Sequence, residues 1–185
     1  MLLRPRRPAA PGDAVDLLLE CHERIRAMVA LAERLAAARG EPPESLAEAA
    51  SRVHRYFTLA LPLHALDEEV SLLPRLRGRS AALDGELAAM AREHRDHERP
   101  VGALVAACAR IAHDPACHPE FAHALAAAAA ELGQHFEAHL TREEAIIFPA
   151  VRRLLDAETL ALVASEMRSR RQGQGGATDP GKPPP

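Results

Sequence analysis

The chain has 185 residues and a mass of 20.0 kDa, with hydrophobic, charged and aromatic fractions of 48%, 26% and 3%. So few aromatics argue against a β-sandwich or β-barrel of this length, whereas 39 alanines beside abundant Leu, Glu and Arg favour helix. A net charge of −3 argues against an electrostatically driven nucleic-acid binder, while ten histidines stand out, since imidazole titrates near neutral pH and is a common metal ligand.

Residues 1–12 are rich in Pro, Arg and Ala and predict a disordered arm. No apolar stretch follows the basic residues, so no signal peptide is expected. No run approaches about eighteen apolar residues, so no membrane span is expected either. Cys21, Cys108 and Cys117 form no CxxC pair and predict buried free thiols. Together these features predict a soluble cytoplasmic protein.

A first helix is expected over 13–39, capped by Asp13 and ended by Gly40 with Pro42 and Pro43. Its apolar seam runs through Val15, Leu18, His22, Ile25, Val29 and Ala32. A second helix spans 44–76, with Pro62 expected to kink or restart it. Its seam is Phe57, Leu61, His64, Glu68 and Leu72. A third helix covers 83–111, with a bend expected at Pro100 and a seam of Leu83, Leu87, Met90, His94, His97, Val101, Leu104, Cys108 and Ile111. A fourth covers 120–155, with a seam of Phe121, Leu125, Ala128, Leu132, His135, His139, Glu143 and Ile146. A short fifth helix spans about 157–170, and residues 172–185 predict a disordered tail. The pattern predicts an all-α fold: an antiparallel up-down-up-down four-helix bundle over 13–171, with the fifth helix at its C-terminal end.

The second and fourth helices carry one repeated phrase, H-x3-E-E-x2-[LI]-[LF]-P, over His64–Pro74 and His139–Pro149. Its His, both Glu and Pro recur at an offset of 75, and the seam histidines His22 and His94 recur at an offset of 72. The chain therefore reads as two related helical hairpins, each supplying one lone His and one His/Glu pair. Residues four apart share a helix face about 5–6 Å apart at Cβ, so each pair can reach one centre. Facing helices then bring four imidazoles and two carboxylates together inside the bundle. Metal cations compensate carboxylates that would be costly to bury alone. This donor set suits iron, with manganese or zinc possible. Two carboxylates can bridge two metals roughly 3.5–4 Å apart. Two histidines, one oxygen from each glutamate and a bridging oxo or hydroxo group would leave each iron one open position.

These positions resemble the hemerythrin-like, or HHE cation-binding, domain over about residues 13–155. The resemblance implies a non-heme, oxo-bridged di-iron centre held by His22, His64, Glu68, His94, His139 and Glu143. The oxygen carriers of that family add a fifth His four residues after the third-helix His, where this chain has Glu98, and use an Asp on the fourth helix. The departure favours sensing, nitric-oxide or peroxide chemistry, or iron handling over simple oxygen carriage. Ferritin-like proteins use the opposite order, Glu-x-x-His.

His97 and His135 are expected near one level, a turn beyond the metal layer, as further ligands or as groups that orient one. Glu98 is a candidate carboxylate ligand and Tyr56 a candidate supporting group; packing or surface roles compete for all four. His54, His113, His118 and His123 read as peripheral. Glu69 and Glu144 point about 100° away from the bridging glutamates and read as surface acids. The expected function is binding or sensing of O2 or NO. The alternative is an enzyme for NO reduction, peroxide removal or iron–sulfur cluster repair, the last disfavoured by the lack of a Cys-containing segment before the first helix. A metal-free helical interaction module is the weakest alternative. Oligomeric state is not legible.

Overall fold

The computed structural model describes residues 12–175, all of the regular structure there being helical. The helices are α1 (Ala14–Ala37), α2 (43–76), α3 (Ala81–His113), α4 (118–154) and α5 (Ala157–Gly175), with a short 3₁₀ turn at Pro115–Cys117 before α4. Helix α5 runs past the boundary expected at residue 171. The arm expected over residues 1–12 and the tail over 172–185 otherwise lie outside the described residues.

Helix α1 starts with a reciprocal capping box. Asp13 accepts from the Asp16 amide at 2.8 Å, and Asp16 accepts from the Asp13 amide at 3.3 Å. Such a cap contributes about 1 kcal/mol. Gly40, at φ +71°, turns the chain toward α2, which begins with Pro43 at a position where its missing N–H is no loss.

Helix α2 runs through Pro62 without stopping. It does so by widening: Tyr56–Ala60 and Asp67–Leu72 are π-helical, as is Glu143–Ile147 in α4. Each wide segment ends two residues before a proline, namely Pro62, Pro74 or Pro149. Proline cannot donate to the carbonyl four residues back, and its ring crowds that carbonyl. The residue before it therefore bonds five back instead: Leu61 to Tyr56, Leu73 to Glu68, and Phe148 to Glu143. The repeated prolines thus place both motif glutamates in π turns, features common at functional sites. Pro100, by contrast, lies within an unbroken α-helix.

Helix α1 packs against α2 and α4, α3 packs against the same two, and α5 lies on α1 and the second π segment of α2. The core divides into two apolar clusters. One holds Ile25, Val29, Phe57, Leu104, Ile111, Leu125, Leu132 and Phe136. The other holds Val15, Leu18, Leu72, Met90, Ile147, Phe148, Val163 and Met167. The seam histidines and glutamates lie between them in sequence on every long helix. Two expected seam positions on α4 are exposed instead, His135 and Ile146, and Phe136 and Ile147 are buried. The straight 3.6-residue helix drifts off a fixed seam, and the wide turn at Glu143–Ile147 shifts it again.

Candidate metal centre

Six polar side chains from four helices converge between the two apolar clusters. His22, His64, Glu68, His139 and Glu143 are buried, and the side chain of His94 is 11% exposed. Their ligand atoms form two groups, each able to hold a metal ion: His22, His64, Glu68 and Glu143, and Glu68, His94, His139 and Glu143. The glutamates belong to both. Glu68 Oε1 lies 3.5 Å from His64 Nε2 and 4.0 Å from His22 Nε2, while Oε2 lies 3.2 Å from His94 Nε2. Glu143 Oε2 lies 3.2 Å from His22 Nε2, and its Oε1 lies 3.2 Å from His139 Nε2. Each carboxyl group therefore offers one oxygen to either side.

Carboxylates fix the opposite edge of three imidazoles. His22 Nδ1 meets Glu144 at 2.8 Å, His94 Nδ1 meets Glu69 at 2.7 Å, and His139 Nδ1 meets Glu93 at 2.8 Å. A carboxylate at Nδ1 sets the tautomer that leaves Nε2 free for a metal, and makes it a better donor. Glu69 and Glu144 are thus not idle surface acids. A side chain turned about 100° from the centre reaches the neighbouring helix, where the lone histidine stands. Their signal was the doubled glutamate in both copies of the motif. Glu93 carried no such signal. Arg26 donates to Glu144 at 2.9 Å, and Arg142 pairs with Glu93.

The electrostatics follow from burial against charge. Burial works to lower the His22 and His94 pKa values, but the adjoining carboxylates outweigh it and raise them to about 10 and about 9. His64, fully enclosed, is pushed down to about 4 by burial. Glu143 is pushed up by burial and by the charge of Glu68, whereas Glu68, though burial opposes this, is held low by the surrounding imidazoles.

The other candidates fall outside both groups. His97 is buried, its ring 5.2 Å from that of His139 and 4.5 Å from that of Phe136, and burial lowers its pKa to about 3. His135 is exposed, though its ring does lie 5.9 Å from that of His97. Glu98 is exposed. The Tyr56 hydroxyl donates to the Cys21 carbonyl at 3.4 Å. His118, expected at the periphery, is buried far from the centre and bonds the Leu35 carbonyl through Nε2 at 2.7 Å. The three cysteines are buried and free. A cavity of about 550 Å³ between α2 and α3 reaches the centre from one side, lined by Phe57, Val101, Phe136, His94, His97 and His139 among others.

A metal fits this set of donors. Nε2 of His22 and His94, both ring nitrogens of His64 and all four carboxyl oxygens of Glu68 and Glu143 are buried without a hydrogen-bond partner among the described residues. Each such atom would cost about 1–3 kcal/mol if left unmet. Cations between the imidazoles and carboxylates would satisfy the convergent ones, and nitrogen–oxygen donors without thiolate suit iron, manganese or zinc. No helix among the described residues is long and apolar enough to cross a membrane. A comparison with curated proteins gave no match. The profile of the hemerythrin HHE cation-binding domain matches residues 13–151, which include all six convergent side chains. The chain belongs to the hemerythrin HHE cation-binding domain family.

Proposed function

We propose that the chain is a non-heme di-iron protein that binds or senses a small ligand, O2 or NO, with His22, His64, His94 and His139 as terminal ligands and Glu68 and Glu143 as bridges. The observation that carries this reading is the placement of the two carboxyl groups, each with one oxygen toward either imidazole group. Bound iron would supply an open coordination position for the small ligand. The protein's own residues do the rest. Glu144, Glu69 and Glu93 orient three of the imidazoles, and the apolar clusters on either side keep bulk water away. The cavity beside His94 and His139 gives a ligand its route from solvent.

The antiparallel up-down-up-down arrangement belongs to the same proposal. It is supported by pairs that run in opposite senses, Asp16 with Arg152 and Arg26 with Glu137 for α1 and α4. Glu86 with Arg142 and Arg99 with Glu131 do the same for α3 and α4. Three free buried thiols fit a reducing, cytoplasmic setting. A second reading, an enzyme for peroxide removal or NO reduction at the same centre, is favoured by the cavity, which exceeds the needs of a diatomic molecule.

The test is reconstitution with Fe2+ without oxygen, followed by optical spectra before and after air exposure. Charge-transfer bands that appear in air and reverse under vacuum support binding or sensing. Irreversible bands support the enzyme. Absence of iron uptake would overturn both.

A further inference from the structure

Asp67 immediately precedes Glu68 and is fully buried, yet it does not face the metal centre's imidazoles. Its Oδ1 accepts from Arg170 Nη1 and its Oδ2 from Arg171 Nη2, both at 2.7 Å. Arg170 also donates through Nη2 to Ser71 Oγ at 2.6 Å, and Ser71 Oγ donates to Glu166 at 2.6 Å. Glu166 in turn pairs with Arg75 at 2.7 Å. Residues 67, 71 and 75, one above another on α2, are therefore all tied to α5. Arg171 Nη2 also lies 3.6 Å from the sulfur of Cys21, the residue before His22.

We propose that Asp67, Arg170 and Arg171 are positioning residues for the metal centre: the end of α5 holds the second π segment of α2 at the rotation that points Glu68 between the two imidazole groups. The inference rests on the reading of Glu68 as a bridging ligand. Asp67 and Glu68 are adjacent in one wide turn, Asp67–Leu72, so a rotation of that backbone segment carries both side chains with it. Two guanidinium groups compensate the buried Asp67 charge, and their planar forks fix its direction as well as its charge. Remove them and the carboxylate is buried without a partner, a state it escapes by turning toward water. Glu68 then turns with it, and its two oxygens no longer face opposite imidazole groups.

Among the described residues the second copy of the motif has no such tie to α5. The residue before Glu143 is Arg142, part-exposed and paired with Glu93 and Glu86. Helix α5 thus supports only one of the two bridges. Its inner face, Leu160, Val163, Ala164 and Met167, packs into the apolar cluster, and its last turns bring the two arginines to Asp67.

The experiment measures Fe2+ affinity by chelator competition without oxygen. The wild-type chain is compared with Arg170→Gln/Arg171→Gln, with the triple variant that adds Asp67→Asn, and with Leu160→Ala. Leu160→Ala loosens α5 without touching Asp67. The double variant is expected to bind iron about ten- to a hundred-fold more weakly. The triple variant, free of the stranded charge but still without the tie, should bind more tightly than the double and more weakly than wild type, and Leu160→Ala should lower thermal stability while iron affinity stays within about two-fold. Unchanged affinity in the double variant overturns the proposal. So does a triple variant no tighter than the double, or an equal loss in Leu160→Ala, since either assigns the effect to docking of α5 alone. Should the double variant not fold, Arg171→Lys, which keeps the charge but loses the fork, is expected to fall between it and wild type, and wild-type affinity there overturns the proposal. A wild-type chain that takes up no iron overturns the di-iron reading and this inference with it, whereas iron bound equally by all variants overturns this inference alone.

Discussion

The two motif copies share a pattern, a wide helical turn and a proline, but their surroundings differ. Across the hairpins they exchange braces in the same way. Glu144 of the second copy holds His22 of the first hairpin, and Glu69 of the first copy holds His94 of the second. Beyond that exchange the twofold relation ends. His139 is braced by Glu93, whereas His64 has no partner at Nδ1 among the described residues. Glu68 follows an Asp buried under two arginines of α5, and Glu143 follows an Arg at the surface. The sides also differ in access. His22 is fully buried behind Glu144 and Arg26, while His94 borders the cavity beside a more exposed Glu69. The repeat thus supplies a nearly symmetric set of donors, but the supporting residues enclose His22 while the cavity reaches His64, His94 and His139.

The largest expected effect is the one that treats both sides alike. Glu68→Ala or Glu143→Ala removes an oxygen from both groups, so elemental analysis should find metal falling from about two ions per chain to nearly none. His64→Ala and His139→Ala should each cost at least about ten-fold in affinity. His118→Ala should leave metal content unchanged and lower stability by about 1 kcal/mol, through the lost bond to the Leu35 carbonyl. Equal iron in all three histidine variants would contradict the assignment.

The braces sharpen the comparison further. Glu93→Gln should weaken iron binding about ten-fold, by freeing His139. Glu144→Gln should weaken it more than Glu69→Gln, because Glu144 is more enclosed and backed by Arg26. Chelator competition on the three variants gives the order.

The pH dependence has a definite sign. With folded values of about 10 and about 9 against an ordinary 6.5, His22 and His94 carry protons at pH 8 in the metal-free chain. Metal loading must displace them, so a weakly buffered titration at pH 8 should register about two protons released per chain. The stability these protonated histidines lend the metal-free fold is present in full below pH 6.5 and is lost as pH rises through about 9 and 10. The melting temperature of the metal-free chain should therefore fall from pH 7 to pH 10 more steeply than that of the loaded chain.

Much of the site was legible because its donors obey local spacing. His64 with Glu68 and His139 with Glu143 are four apart, and the offset of the copies relates them. The second glutamate of each copy was visible but misjudged, since its partner stands on another hairpin. Glu93 and the Asp67–Arg170–Arg171 cluster left no trace, because contacts between residues 46 to 104 apart depend on helix rotation that charge pattern alone does not reveal. The same rotation explains the α4 seam, where Phe136 takes the place expected of His135. Pro62 was expected to kink or restart α2 and Pro100 to bend α3, whereas Pro62, like Pro74 and Pro149, is met by widening the preceding turn, and Pro100 lies within a continuous α-helix.

The most direct measurement is anomalous X-ray scattering at the iron edge from crystals of the loaded chain. The account predicts two peaks in the bundle interior, one beside His22 and His64 and one beside His94 and His139, with Glu68 and Glu143 touching both. A single peak, or iron bound away from the two glutamates, would contradict it.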